Sequence, residues 1–375
     1  MEEQALEFLE ELSNGFGPPG FEREVLRIVD RRVRAYCDSV SRDKLGSLLF
    51  ESRGATESPV VLLPGHIDEI GFIISGINDK GFLTFNSLGG WFDQVLLGQR
   101  VTVRGLKGDR EGVIAAKPPH LLSPEEKRKV IDKTKMFIDL GCSNKREAEE
   151  MGIRVGDPAV PSSRFSTMEK TVFEKEGGDR PKGTMRLALG KAFDDRIGTF
   201  VAAEVLRSLK ENERPHPNRV IGAATVQEEV GARGAATAAW QADPDVALTL
   251  EVGIAGDVPG IESHKAPEVM GQGPSLVTYD SSMIPNQALK NLVIETASSL
   301  DIPLQLSMVA GGGSDAGAIH KLRAGCPGVV ISVPTRHIHS HVGIVSLQDV
   351  ELCIDLVTEL VYRLDRNTVD GLTAL

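Results

Sequence analysis

Leu6, Phe8, Leu9 and Leu12 recur at helical spacing across residues 3–13. Val25, Leu26, Val29, Val33 and Tyr36 repeat that spacing across 22–36. Between the two predicted helices lies GFGPPG, a turn by its glycines and prolines. PVVLLPGHIDEIGFIIS then reads as buried strand, loop and strand. From residue 70 to about 160 the rhythm changes. GINDKGFLTFNSLGGW and GQRVTVRGLKGDREGVIAAK alternate short apolar runs with glycine-bearing turns, which predicts short antiparallel strands. SPEEKRKVID interrupts them as a helix-like charged stretch. After residue 185 strands and helices alternate. IGTFVAAEVLRSLK, ARGAATAAW, NQALKNLVIETASSL, SDAGAIHKL and SLQDVELCIDLVTELVYRLDR have helical patterns. NRVIGAATV, VALTLEV, LQLSMV and GVVISV are strand-like.

This alternation predicts an α/β fold, with a central mixed sheet flanked by helices. The β-rich stretch at 69–163 reads as an inserted, barrel-like domain, which leaves 1–68 and 164–375 as one unit. A chain of 375 residues is too long for one ordinary core, which agrees with such an insert. Aromatic residues make up 5% of the chain, so the core is expected to be aliphatic.

The net charge of −11, without a sizeable basic patch, argues against nucleic acid. Cys37, Cys142, Cys326 and Cys353 are far apart, so neither a zinc knot nor a disulfide framework is expected. MEEQALEFLEEL is not a secretory signal, and no apolar run reaches 18 residues. A cytoplasmic protein that crosses no membrane is the expectation.

Candidate chemistry gathers just after the predicted strands, where open α/β sheets place their sites. His66 and Asp68 stand two apart in GHIDEIG; in extended chain they share a face, and the carboxylate could orient a metal-bound imidazole. Asp194 and Asp195 in KAFDDRIG could bridge two metals or cap the following helix. Glu228 and Glu229 end an apolar strand, as metal ligand and general base or as a capping pair. Glu251 and Asp257 follow in LEVGIAGD. His337, His339 and His341 have period two, and form either a three-histidine clip or one ligand with two bystanders. His120, His216, His264 and His320 have no partner pattern and read as structural. Together the clusters suit a dinuclear site for zinc, cobalt or manganese. No Walker A loop occurs, and GGGSD lacks the Rossmann spacing. A glycosidase would need paired carboxylates free of metal. A carboxypeptidase or amide deacylase would need a cation for the substrate carboxylate, and a binding protein need not keep a full ligand set.

GHIDEIGF, KPPHLL, DLGCSNKREAEEMGIRVGD, KAFDDRIG, VQEEVGARGA, EVGIAGDVPG, GGGSDAGAI and RHIHS resemble, in order over nearly the whole chain, the tetrahedral-particle metallo-aminopeptidases. These deblocking or glutamyl aminopeptidases often carry cellulase or endoglucanase names. The resemblance implies that His66, Asp194 and Glu251 hold one metal, and that Asp194, Glu229 and His339 hold the other. It implies Glu228 as general base and acid, Asp68 as the residue that orients His66, and a cis peptide after Asp194. It also implies peptide substrates with a free N-terminus, the insert as dimerisation domain, and a homo-oligomer built from dimers, usually a dodecamer. Three positions depart from the family's habit: Glu251 stands for Asp, His337 for Tyr and Ser47 for Asn. The longer Glu251 side chain predicts a weaker metal at the site it shares with His66.

Overall fold

The computed structural model describes residues 1–173, 181–212 and 214–374. At its centre lie four parallel strands, Arg219–Thr225, Val60–His66, Val246–Ile254 and Gly328–Arg336, adjacent in that order. Val60–His66 is buried along its whole length, as its unbroken VVLLPGH run requires of a strand covered on both faces. Antiparallel strands flank this core to complete an eleven-stranded mixed sheet. On one side are Leu48–Arg53 and then Ser39–Arg42. On the other are Gly343–Ser346 and the hairpin Pro181–Gly190 with Ser166–Phe173. Strands Ser275–Asp280 and Gln305–Val309 branch from Gly328–Arg336.

The helix Phe193–Glu211 crosses one face, and Phe200, Val201, Val205 and Leu206 are fully or almost fully buried there. Its close seat depends on two glycines: a Cβ on Gly65 would lie 2.4 Å from the Gly198 carbonyl carbon, and one on Gly198 would lie 2.4 Å from the Leu250 oxygen. Thr199 Oγ1 donates to the Gly65 carbonyl at 2.9 Å and locks the same crossing. Helices Glu3–Asn14, Arg23–Val33, Gln287–Ser299 and Leu347–Arg363 add their apolar faces to this core. Arg233–Ala242, an alanine-rich helix, packs on the opposite face with Leu62 and Ile221.

The insert forms a closed antiparallel barrel from Gly71–Ile77, Leu83–Leu88, Phe137–Asp139, Gly108–Ala115, Arg100–Gly105 and Pro158–Pro161. It has its own core, in which Phe72 stacks on Trp91 at 4.8 Å and meets Phe85 edge-on at 5.0 Å.

Several elements differ from expectation. SPEEKRKVID is no α-helix but holds one 3-10 turn, Glu126–Arg128, with a second, Lys133–Lys135, just after it, and Val130 is exposed. Its apolar residues are too few to line a buried stripe. SDAGAIHKL shortens to the single turn Ala316–Ile319. The hairpin after Ser166 has no counterpart in the sequence reading, because Ser166–Phe173 is exposed almost throughout and shows no alternation. Among the described residues, no helix is long and apolar enough to cross a membrane.

Candidate metal centre and active site

The candidate residues converge at the C-terminal ends of the parallel strands. His66 closes Val60–His66, and Glu251 sits within Val246–Ile254. Glu228 and Glu229 lie in the turn three and four residues beyond Thr225, not at the strand end itself. His339 follows Gly328–Arg336. Asp194 comes from the junction between Pro181–Gly190 and the crossing helix.

Asp194 is the hinge of the cluster. One of its oxygens lies 3.1 Å from His66 Nε2 and the other 3.3 Å from His339 Nε2. His339 Nε2 is also 3.8 Å from Glu229 Oε1, and Glu228 Oε2 is 3.9 Å from His66 Nε2. Two groups of three follow: His66, Asp194 and Glu251, and Asp194, Glu229 and His339, each with ligand atoms within 4.8 Å of one another. The Asp194–Asp195 peptide is cis. Asp195 turns the other way and acts as a cap: its oxygens accept the Gly198 N–H at 3.0 Å and the His66 N–H at 3.1 Å.

Asp257, the other acid on that segment, is committed elsewhere, in a two-pronged pair with Arg336 whose Nε lies 3.0 Å from the carboxylate. The three histidines of RHIHSH do not share a face. His337 and His339 both have positive φ, at 62° and 53°, so the backbone coils after Arg336 and the extended period is lost. Only His339 reaches the cluster, while buried His341 packs against Trp91. Asp68 also departs from its expected geometry. The partner at hydrogen-bond distance from His66 Nδ1 is the Asp68 backbone carbonyl, at 3.1 Å, whereas the carboxylate stands 3.6 Å away. That carboxylate accepts the Glu228 and Glu229 N–H groups at 3.0 and 3.1 Å and so fixes the turn that carries both glutamates.

Electrostatics mark the cluster as unbalanced without a cation. Burial pushes Glu229 up to about 8, with Asp194 adding to the shift, and pushes Glu228 up to about 7. Burial and then Asp195 hold Glu251 well above the carboxylate range. The bond to Asp194 raises His339 to about 10. Burial opposes a charge on His66, yet Asp194 and Asp68 outweigh it and keep its pKa well above that of a free imidazole. Glu229 Oε1 is buried without a hydrogen-bond partner. Nitrogen and carboxylate donors, an orphaned buried oxygen and crowded acids are what a divalent cation satisfies, so the residues fit a metal.

Several supporting residues escaped sequence reasoning. Glu69, from GHIDEIG, accepts Lys191 Nζ at 2.6 and 2.7 Å and Arg196 Nη2 at 2.9 Å, all buried. The barrel reaches the site through SLGGW: the Gly90 carbonyl accepts His339 Nδ1 at 2.6 Å, and a Cβ on Gly89 would lie 2.8 Å from Glu229 Oε2. Asp315, from GGGSDAGAI, is buried and accepts the hydroxyl of Thr225, the last residue of the strand before the Glu228 turn. The local signal for Glu69, Lys191 and Arg196 was only their place beside a recognised cluster, and Gly89 and Gly90 had none.

Comparison with known proteins defines the class. A profile of the family described as M42 glutamyl aminopeptidase matches residues 46–356, and the chain belongs to that family. It is 34% identical over 367 residues to the putative aminopeptidase FrvX of Escherichia coli, covering 98% of this chain and 97% of that one. Among solved structures, it is similar to the TET aminopeptidase of the marine sediment Thaumarchaeota archaeon SCGC AB-539-E09. That similarity has a TM-score of 0.93 and 56% identity, with 99% of both chains covered. The Pyrococcus horikoshii TET1 peptidase, described as able to assemble into a tetrahedron or a large octahedral shell, matches with a TM-score of 0.79 and 31% identity. There 96% of this chain and 100% of that one are covered. The protein is therefore a peptide hydrolase of the aminopeptidase class, and its fold carries candidate metal-binding groups of the kind such an enzyme needs.

Proposed function

We propose that the protein is a dinuclear-metal aminopeptidase that removes residues one at a time from free N-termini, with Glu228 as general base and acid. The observation that carries this reading is Asp194, which presents one carboxylate oxygen to His66 and the other to His339. A carboxylate so placed suits two cations side by side: His66 and Glu251 complete one set, Glu229 and His339 the other. Bound there, two divalent ions such as zinc, cobalt or manganese would supply Lewis-acid polarisation of the scissile carbonyl and acidify water.

The rest is done by the chain. Glu228 stands beside His66 with a pKa near neutrality before metal binds, the range in which a carboxylate both takes and returns a proton. It takes the proton of the attacking water and returns it to the leaving amine. Asp68 keeps Glu228 and Glu229 in register through their backbone N–H groups, and its carbonyl orients His66. Similarity to TET particles extends the proposal to a homo-oligomer, a dodecamer built from dimers that meet through the 69–163 insert.

A peptide with a free N-terminus and its N-acetylated twin test the activity. Mass spectrometry should show stepwise loss of N-terminal residues from the first and none from the second. Equal cleavage of both, or loss from the C-terminus, would exclude aminopeptidase action.

A further inference from the structure

Resting on that reading, we infer that the enzyme prefers aliphatic N-terminal residues and handles acidic ones worst, because the pocket beside the catalytic cluster has aliphatic walls and carboxylates but, among the described residues, no cationic side chain.

A cavity of about 360 Å³ opens directly onto His66, Asp194, Glu228 and His339. Its volume is that of a site for a small ligand. Val252, Ile254, Val277, Val309, Val330 and Ile338 line it. Val277 and Val330 are register partners on the antiparallel strands Ser275–Asp280 and Gly328–Arg336, and both are buried. They make a rigid apolar back wall. Ile254 ends the Glu251 strand and is 42% exposed, which puts it at the rim. Among the described lining residues there is no Lys or Arg.

Beyond the catalytic carboxylates, the acid that lines the pocket, Asp280, is already occupied. One oxygen accepts the Ser282 and Met283 N–H groups at 2.6 and 2.7 Å and the Ser282 hydroxyl at 2.7 Å. The other accepts Ser314 Oγ at 3.2 Å. Asp280 therefore holds the 280–283 turn in place and at the same time sets a negative charge against the pocket. An acidic substrate side chain would lose its water there beside a like charge and meet no cation among the described lining residues. A lysine would find the carboxylate already bonded to four donors. An aliphatic side chain packs against the valine and isoleucine wall, and each added methylene is worth roughly 10-fold to 200-fold in such a pocket. The pocket thus departs from the glutamyl specificity in the family's description.

The test is kcat/KM for the p-nitroanilides of Leu, Ala, Lys and Glu, with the metal-loaded enzyme and with Ile254→Arg. We expect Leu to exceed Ala by roughly 10-fold or more. Glu should fall below Leu by at least about 100-fold, the cost of one unpaired buried charge. Ile254→Arg places a cation at an exposed rim position that tolerates it, and should raise the Glu-to-Leu ratio by about 2-fold to 5-fold. Glu or Lys as the best wild-type substrate, or an unchanged ratio in Ile254→Arg, would overturn the inference. Release of none of the four residues by the fully loaded enzyme would overturn the aminopeptidase reading as well, so the two failures are distinguishable.

Discussion

Glu251 and Asp257 are chemically alike and close in sequence, yet the fold gives them different work. The strand Val246–Ile254 holds Glu251 beside His66 and Asp194, whereas Asp257 lies beyond it and pairs with Arg336. Glu251→Ala should therefore lower the metal content from two to one per subunit, while Asp257→Ala should leave both in place. The reverse result, read by elemental analysis after dialysis, would move the ligand role to Asp257. The protonation of the cluster gives a second expectation. In the metal-free protein His339 titrates near 10 and Glu229 near 8, so both carry protons at neutral pH. A raised pKa means the proton competes with the cation below that value, and metal affinity should rise as pH climbs from about 6 towards 10. Calorimetry at pH 7 in two buffers of different ionisation enthalpy should register net proton release on metal uptake. No proton release would contradict this picture of the cluster.

Secondary elements bring these side chains together through one buried ion network. Glu69 follows the His66–Asp68 loop, while Lys191 and Arg196 bracket Asp194. Arg196 also donates to the carbonyls of Leu12 and Gly15 at 2.6 Å, which ties in the end of the first helix. Burial lowers Lys191 to about 8, so it depends on Glu69 to remain charged. Glu69→Ala would strand two buried cations, and the expected cost is about 3–5 kcal/mol in denaturant unfolding. A loss below about 1 kcal/mol would show that the network adjusts without Glu69. The strands and helices that carry the cluster were legible because mainly apolar runs such as VVLLPG and VALTL end at His66 and Glu251. The network was not legible, because Glu69 is 122 residues from Lys191 and no local period encodes such a pairing. The coil that isolates His339 from its neighbours was hidden for a related reason: alternate spacing implies a shared face only while the backbone stays extended, and positive φ at His337 and His339 ends that. Gly89 and Gly90 were hidden by lying in the insert, away from the strands that marked the site.

Across the whole molecule, barrel and sheet have separate cores but share one site, since the Gly90 carbonyl seats His339. The barrel region also leaves Phe92, Leu106, Leu121, Val130 and Val155 more than half exposed, apolar side chains that the proposed assembly through the insert would bury. Light scattering should accordingly find a large homo-oligomer, and a fully active monomer at micromolar concentration would contradict assembly through the insert. The proposed mechanism depends on Glu228, the acid placed beside His66 and held by Asp68. Glu228→Gln keeps the side chain's shape and its backbone bond to Asp68 while removing the proton acceptor. The most direct test is kcat for release of a free N-terminal residue by this variant at wild-type metal content. A fall of about 10²–10⁴-fold is expected, with oligomer and fold intact. Turnover within a few-fold of wild type would contradict it.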